Sequence, residues 1–90
     1  MKERNLKSMP YARARVIETD EGVKILKSYD TYVAFVYPDG FIRCTGLYSV
    51  TTMKHLSVFA RECGLCYNDF KLAFKSEALY NPITGEISLV

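Results

Sequence analysis

The chain has 90 residues, of which 49% are apolar and 24% are charged, and its formal net charge is +2. These proportions are typical of a soluble globular domain, so they exclude a disordered, collagen-like or coiled-coil chain. A chain of this length holds a single hydrophobic core, which excludes an enzyme with separate cofactor and substrate lobes.

The basic N-terminal segment does not predict export or membrane insertion. Five of the first fifteen residues are basic, and Glu3 is the only acid among them. No apolar run of the length that a signal peptide requires follows, and the stretch from Tyr32 to Tyr37 is too short to span a bilayer. The three cysteines, Cys44, Cys63 and Cys66, cannot form a complete disulfide framework. We therefore expect a cytoplasmic protein without membrane contact.

The first half of the chain predicts a four-stranded antiparallel meander after a flexible basic arm at residues 1–10. Alternation with a period of two, as in Ala12, Ala14 and Val16, indicates a half-exposed strand. Turn signals at residues 20–22 and 38–40 end in glycine, which accepts the positive φ of tight turns. We predict strands at residues 11–19, 23–27, 31–37 and 41–48.

The pattern changes at Ser49 from a period of two to a helical period. The apolar residues that recur at helical spacing are Met53, Leu56, Phe59, Ala60 and Cys63. Thr51 or Thr52 can cap the start with its hydroxyl, and Gly64 fits just beyond the end. These signals predict a helix over residues 51–63, packed across the sheet.

The last third of the chain predicts a second helix and a hairpin. Residues 68–76 fit either a short helix, with Phe70, Ala73 and Phe74 on one face, or a strand in which Phe70, Leu72 and Phe74 alternate. The helix is favoured because Asn68-Asp69 can cap it. Residues 78–80 and 86–90 can pair across the intervening turn. Together these elements predict one α+β domain over residues 11–90, with the helices on one face of the sheet.

Several segments resemble a family of short proteins of unknown function from Gram-positive gut bacteria and their phages. The segments are Leu26–Tyr29, Tyr80–Asn81, Thr84–Glu86 and, most specifically, Tyr48-Ser-Val-Thr-Thr-Met-Lys-His55. The likeness covers about residues 14–87. It implies a bacterial or phage origin, and it implies no activity, ligand or functional residue.

The cysteines and the single histidine form a possible but incomplete zinc motif. Cys63 and Cys66 have the spacing of half a tetrahedral zinc site, and Cys44 and His55 are the candidates for the other half. A second Cys-x-x-Cys pair is absent from the sequence. The alternative is that Cys63 and Cys44 are small buried core residues, with Cys66 a chance neighbour. We expect no metal and no other cofactor, with zinc as the alternative.

The start of the predicted helix carries the best local cluster of basic and hydroxyl-bearing residues. The candidates for binding are Arg43, Thr51, Thr52, Lys54, His55 and Arg61. Free N–H groups and the helix dipole favour negative charge at such a position. The same hydroxyls also suit ordinary capping of a helix whose exposed face has no partner. We predict that this polar side binds an acidic protein surface or a phosphate.

The sequence contains no motif that predicts catalysis, since a nucleophile elbow, a phosphate-binding loop and an HExxH pair are all absent. We therefore expect no enzyme but a bacterial or phage protein that binds another protein, because Tyr and Arg are favoured at interfaces. An inhibitor of a host defence system, such as a CRISPR nuclease, is one concrete form.

Two alternatives to protein binding stay open. The first is a small nucleic-acid-binding or regulatory module that uses the basic arm, Arg13 and Arg15 on one strand face, and the helix start at Thr51 and Thr52. The low net charge argues against it, and most aromatic residues alternate on strands and are expected in the core. The second is a zinc-stabilised interaction domain.

Overall fold

A computed structural model describes residues 1–46 and 49–89. These residues form one antiparallel sheet of seven strands in chain order, with two helices inserted between the fifth and sixth strands. The strands are β1 (Lys2–Asn5), β2 (Ala14–Glu18), β3 (Lys24–Ser28), β4 (Thr31–Val36), β5 (Ile42–Cys44), β6 (Leu79–Tyr80) and β7 (Ile87–Ser88). The helices are α1 (Val50–Glu62) and α2 (Tyr67–Ser76).

The α+β class is confirmed, and the sheet has more strands than the four predicted. The strands of the predicted meander are present as β2 to β5, and the predicted C-terminal hairpin is present as β6 and β7. Residues 47 and 48, at the end of the fourth predicted strand, and residue 90 lie outside the described residues. None of the described helices is long and apolar enough to cross a membrane.

The N-terminal segment forms β1 rather than the predicted flexible arm. Its residues pair antiparallel with β2 along their whole length, from Lys2 opposite Glu18 to Asn5 opposite Arg15. Leu6, directly after the strand, is fully buried in the core. The polar composition of residues 1–9 hid this strand, because one buried leucine does not produce a visible period.

The carboxylate of Glu62, the last residue of α1, ties β1 to the helix. Arg4 donates a hydrogen bond to Oε1 over 2.7 Å, and the backbone N–H of Lys7 donates to Oε2 over 2.8 Å. The Glu62 side chain is only 9% exposed, so these hydrogen bonds compensate for the loss of water around its charge.

The hydrophobic core lies between the two helices and one face of the sheet. Its fully buried residues include Val16, Leu26, Leu56, Phe59 and Phe70. The rings of Phe59 and Phe70 lie 5.9 Å apart and are tilted by 50°, which joins α1 to α2. The predicted apolar face of the first helix is therefore confirmed at Leu56 and Phe59.

A β-bulge in β4 changes the face to which its side chains point. Leu26 pairs with Ala34, whereas the next residue, Lys27, pairs with Tyr32, so Val33 is an extra residue in β4. Simple alternation along the strand would place Val33 on the face of Phe35, and Tyr32 on the face of Ala34. Instead Val33 is fully buried in the core, and Tyr32 is 51% exposed beside Lys27.

The first helix is capped by a different hydroxyl from those predicted. Ser49 is the N-cap of α1, and its Oγ accepts a hydrogen bond from the N–H of Thr52 over 3.1 Å. Gly64 follows the C-cap with a φ of 73°, as predicted. Its N–H donates to the carbonyl of Arg61, and that of Leu65 donates to the carbonyl of Ala60. These bonds form a Schellman motif.

Residues 68–76 are helical, so the helix is confirmed over the strand. The helix α2 begins one residue earlier than predicted, with Cys66 as its N-cap. The Asp69 carboxylate accepts a hydrogen bond from the N–H of Cys66 over 3.0 Å. Cys63 is the C-cap of α1. The Cys63–Cys66 segment therefore connects the two helices.

We expect truncation of the α1 core face to destabilise the fold strongly. Phe59→Ala or Leu56→Ala removes a fully buried side chain from the helix–sheet interface, at a cost of about 2–5 kcal/mol in the free energy of unfolding. Urea denaturation followed by circular dichroism measures the loss. The exposed control Lys54→Ala should change the same free energy by less than about 0.5 kcal/mol. A loss below about 0.5 kcal/mol in the core variants would contradict the placement of this face.

We expect Glu62→Ala to destabilise the fold by about 1–3 kcal/mol, because Arg4 and the N–H of Lys7 lose their acceptor. Hydrogen exchange should show that the amides of β1 lose protection first, since the carboxylate holds this strand to α1. The control is Glu86→Ala, which removes an exposed carboxylate. If both variants unfold at the same denaturant concentration as the wild type, the Glu62 contact does not stabilise the fold.

Candidate binding surface

The face of the sheet opposite the helices, called the open face below, carries an apolar row. The strand register places Glu3, Ile17, Ile25, Phe35 and Arg43 side by side across β1 to β5. Ile17 is only 8% exposed, and Ile25 and Phe35 are partly exposed. The row therefore has an acid at one end, a cation at the other, and three apolar residues between them.

A second row on the open face combines cations with an aromatic ring. Asn5, Arg15, Lys27 and Tyr32 are neighbours on β1 to β4. Adjacent strands lie about 4.8 Å apart, so the backbones of Arg15 and Tyr32, with Lys27 between them, are about 10 Å apart. The Lys27 ammonium lies 5.8 Å from the centroid of the Tyr32 ring, within the range of a cation–π contact. The bulge at Val33 is what brings Tyr32 to this face.

A pocket of about 500 Å³, called the cationic pocket below, opens beside the second row. Its charged lining residues are Glu3, Arg13, Arg15, Lys27 and Asp30. The segment of residues 10–12 and the turn at residues 29 and 30 also line it. Three cations against two carboxylates give the pocket a net positive charge.

The charges of this pocket are only partly neutralised by one another. Arg15 Nε lies 3.9 Å from Glu3 Oε1, and both side chains are more than half exposed, so this pair stabilises the fold little. Within residues 1–46 and 49–89, neither Arg13 nor Lys27 forms a salt bridge. Two cations are therefore available to an anionic ligand.

Contacts from the core hold Tyr29 at the border of the pocket. Its φ of 55° lies in the left-handed region, and its N–H donates to the carbonyl of Arg13 over 2.8 Å. Its ring packs against that of His55, with 6.0 Å between the centroids. Tyr29 as a whole is 51% exposed, so one part of the residue is held while the rest faces solvent.

His55 is buried beneath the open face. It is 2% exposed, and its Nδ1 lies 2.9 Å from Oγ of Ser28, which is also buried. Burial lowers the pKa of His55 below the usual 6.5, because the charged imidazolium loses its hydration. His55 therefore supports Tyr29 from beneath.

The six predicted binding residues do not form one surface. Thr51, Lys54 and Arg61 are exposed on α1. Thr52 is 4% exposed and His55 is 2% exposed, so the prediction that they face a partner is wrong for both. Both residues lie at helical spacing from the core residues Leu56 and Phe59, so their side chains face the sheet. Arg43 lies in the row of Phe35 on the open face, away from the start of α1.

The four zinc candidates are not gathered into a site in the structure. No group of three or more metal-binding side chains occurs within residues 1–46 and 49–89. Cys44 is buried, and its thiol donates to the carbonyl of Gly46 over 3.7 Å. Burial raises the pKa values of Cys44 and Cys63, which disfavours the thiolate that zinc requires.

The sequence pattern predicts part of the cationic pocket, namely Arg13 and Arg15, and gives no indication of the rest. Arg13 and Arg15 were predicted to project together from one strand face, and both line the pocket. Lys27, Tyr29 and Tyr32 were assigned to a strand or a turn without a functional role. Their only sequence signal is a high density of tyrosine around residue 30. The expectation that most aromatic residues lie in the core is wrong for Tyr29 and Tyr32, as it is for Tyr11.

The fold and this surface describe a small α+β domain with one uncovered, partly apolar sheet face. The model of DUF8033, a family of unknown function, matches residues 1–71, and the chain therefore belongs to that family. The matched part contains both rows and the whole cationic pocket, whereas β6 and β7 lie beyond it. No curated protein and no solved structure matches the chain.

We expect stability to fall as the pH is lowered through the range of histidine titration. Because the pKa of His55 is lower in the folded state than its ordinary 6.5, the unfolded chain binds more protons at acidic pH. The free energy of unfolding should therefore be highest above about pH 7 and should decrease towards about pH 5. Urea denaturation at several pH values measures it.

His55 is the only histidine of the chain, so His55→Gln is a direct control. We expect this variant to be less stable than the wild type, because it disturbs the contact with Ser28. Its free energy of unfolding should nevertheless change little between about pH 7 and about pH 5. An equal slope in both proteins would show that another group causes the pH dependence.

Proposed function

We propose that the protein is a non-enzymatic binding protein that recognises another protein through the open face of its sheet. The observation that carries this proposal is the apolar row on that face, in which Ile25 and Phe35 are partly exposed beside Ile17, which is 8% exposed. An antiparallel sheet with one face in solvent normally alternates between apolar and polar residues, and its outer face is polar. An apolar row on that face is therefore more typical of a surface that a partner covers.

The arrangement around the row supports a protein partner. Protein interfaces have an apolar centre and a polar rim, and their energetically dominant residues are most often aromatic or arginine. Here the rim contains Arg15, Arg43 and Tyr32. Tyr37 stacks on Phe35, with 6.4 Å between ring centroids, and extends the apolar centre. Electrostatics favour a partner with acidic groups at its own rim.

The only histidine also fits a binding role better than a catalytic one. Ser28 and His55 form a hydroxyl–imidazole pair of the kind that nucleophilic catalysis uses. Both residues are 2% exposed, beneath Tyr29, so a substrate cannot reach the hydroxyl without local opening. The pair acts instead as a polar contact between β3 and α1.

We further propose a bacterial or phage origin, and cytoplasmic action. The support for the origin is the resemblance carried by the segment from Tyr48 to His55. The support for the cytoplasm is that the three cysteines cannot form a complete disulfide framework. A small inhibitor that occupies the surface of a host defence nuclease, such as a CRISPR effector, is one form that this proposal takes. A sheet face that combines apolar, aromatic and cationic side chains suits such an inhibitor.

Site-specific photocrosslinking tests whether the open face contacts a protein. A photoreactive side chain in place of Tyr32 lies on the open face, and one in place of Lys71 lies on the exposed side of α2. We expect a discrete protein adduct from position 32 in extracts of the native host, and none from position 71. Mass spectrometry of the adduct identifies the partner. Equal adducts from both positions would overturn the proposal.

With the partner identified, we expect Phe35→Ala to weaken binding at least about tenfold, as for an interface residue with a dominant contribution. Phe74→Ala is the matched control, because Phe74 is 38% exposed on α2 and the substitution is the same. Isothermal titration calorimetry measures the affinity, and thermal melting confirms that both variants are folded.

The exposed side of α1 is the competing surface from the sequence prediction. The double variant Lys54→Glu with Arg61→Glu reverses its charge while leaving the fold intact, since both residues are exposed. We expect this variant to bind the partner within about threefold of the wild-type affinity. Lost binding here together with unchanged binding of Phe35→Ala would assign the interface to α1 and contradict the open-face proposal.

A further inference from the structure

We propose that the cationic pocket is a nucleotide-binding site, in which Arg13, Arg15 and Lys27 hold a phosphate and a tyrosine ring stacks on the base. This inference goes beyond the proposed protein binding, because it concerns a different ligand and, apart from Arg15 and Tyr32 at the rim of the open face, different residues. The ligand is a nucleotide unit, which is either a free nucleotide or one unit of a single-stranded nucleic acid.

The size and position of the pocket suit one nucleotide. Its volume of about 500 Å³ lies within the range of pockets that bind small molecules. It is an open concavity, with the strands as its floor and the segments of residues 10–12 and 29–30 at its border. A single-stranded nucleic acid can therefore enter with one unit in the pocket and its neighbours outside.

The three cations are placed to act on one phosphate. Arg13 and Arg15 are two residues apart on the same side of the chain, and Arg15 pairs with Lys27 across β2 and β3. A guanidinium binds phosphate oxygens through two parallel hydrogen bonds, which a single ammonium does not. Arg13 and Lys27 have no carboxylate partner among the described residues. Glu3 is 3.9 Å from Arg15, beyond hydrogen-bond distance.

The tyrosines favour a base over a ligand that offers only charge. Tyr11 is 99% exposed, and Tyr29 and Tyr32 are each 51% exposed. Tyr11 and Tyr29 line the pocket, and the Tyr32 ring lies beside Lys27, which also lines it. Every nucleobase has a planar face that stacks on such rings. An acidic peptide would satisfy the three cations but would leave these rings without a role.

The two carboxylates of the pocket also favour a nucleotide over inorganic phosphate. Ionised Asp30 and Glu3 can only accept hydrogen bonds, and their charges repel a small anion such as inorganic phosphate. A nucleotide supplies donors from its ribose hydroxyls and base amino groups, in addition to the phosphate charge. The combination of three cations, two acceptors and exposed rings thus matches each part of a nucleotide.

Fluorescence anisotropy with the full chain tests the inference. The probes are labelled ADP and a labelled single-stranded DNA of about ten nucleotides, and the competitors are inorganic phosphate and an oligoglutamate of equal charge. We expect the oligonucleotide to bind with a log–log salt slope of about −0.7, as for neutralisation of one phosphate of a single strand. The oligoglutamate and inorganic phosphate should compete at least about tenfold less well than unlabelled oligonucleotide.

Three variants assign the binding to the pocket. Arg13→Gln with Lys27→Gln should weaken binding at least tenfold, whereas the matched control, Lys71→Gln with Lys75→Gln on α2, should weaken it less than about twofold. Tyr11→Ala should weaken it about fivefold or more. Tyr11 is 99% exposed, so this variant should melt at the wild-type temperature.

Each outcome either supports or overturns the site. Binding of ADP as tight as that of the oligonucleotide identifies a free nucleotide as the ligand, and tighter binding of the oligonucleotide identifies a single strand. Absence of binding by both probes overturns the inference. Competition by oligoglutamate as strong as that by unlabelled oligonucleotide also overturns it. An equal loss of affinity in the α2 control variant overturns it as well. The pocket variants keep Ile25 and Phe35, so their affinity for the protein partner separates failure of this site from failure of the proposed function.

Discussion

The single extra residue in β4 is the constraint on which both faces of the sheet depend. The bulge at Val33 lets two consecutive residues, Val33 and Ala34, enter the core, where both are fully buried. Beyond the bulge, the side-chain alternation of β4 is reversed. Tyr32 consequently joins Arg15 and Lys27 on the open face instead of lying beneath α1. Packing of the core and composition of the candidate site are therefore two results of one backbone irregularity.

A long-range contact at the β1 edge of the sheet completes the fold. Glu62 ends α1 and binds both Arg4 of β1 and the backbone that follows this strand. Because the carboxylate is almost buried and accepts charged and neutral hydrogen bonds, it couples the helix layer to the first strand. β1 in turn supplies Glu3 and Asn5 to the cationic pocket. The pocket thus depends on a contact on the opposite side of the sheet.

A contact between β3 and α1 links the core to the candidate site. Ser28 and His55 form a buried polar contact between β3 and α1, and the Tyr29 ring rests on the imidazole. The left-handed backbone at Tyr29 is unfavourable for a residue with a large side chain, and it persists because these contacts and the hydrogen bond to Arg13 hold it. Rigid core residues therefore position a ring that is half in solvent.

Local patterns along the chain were sufficient to predict β2 to β5, both helices, the C-terminal hairpin and the shared direction of Arg13 and Arg15. Periodicity, capping and turn chemistry act between residues that are close in sequence, so the amino acids alone carry this information. Tertiary structure decided that residues 2–5 form a strand, that Val33 is a bulge and that His55 is buried. These features depend on contacts such as Arg4 with Glu62, which are 58 residues apart. Their energy comes from packing and desolvation, which no local pattern records.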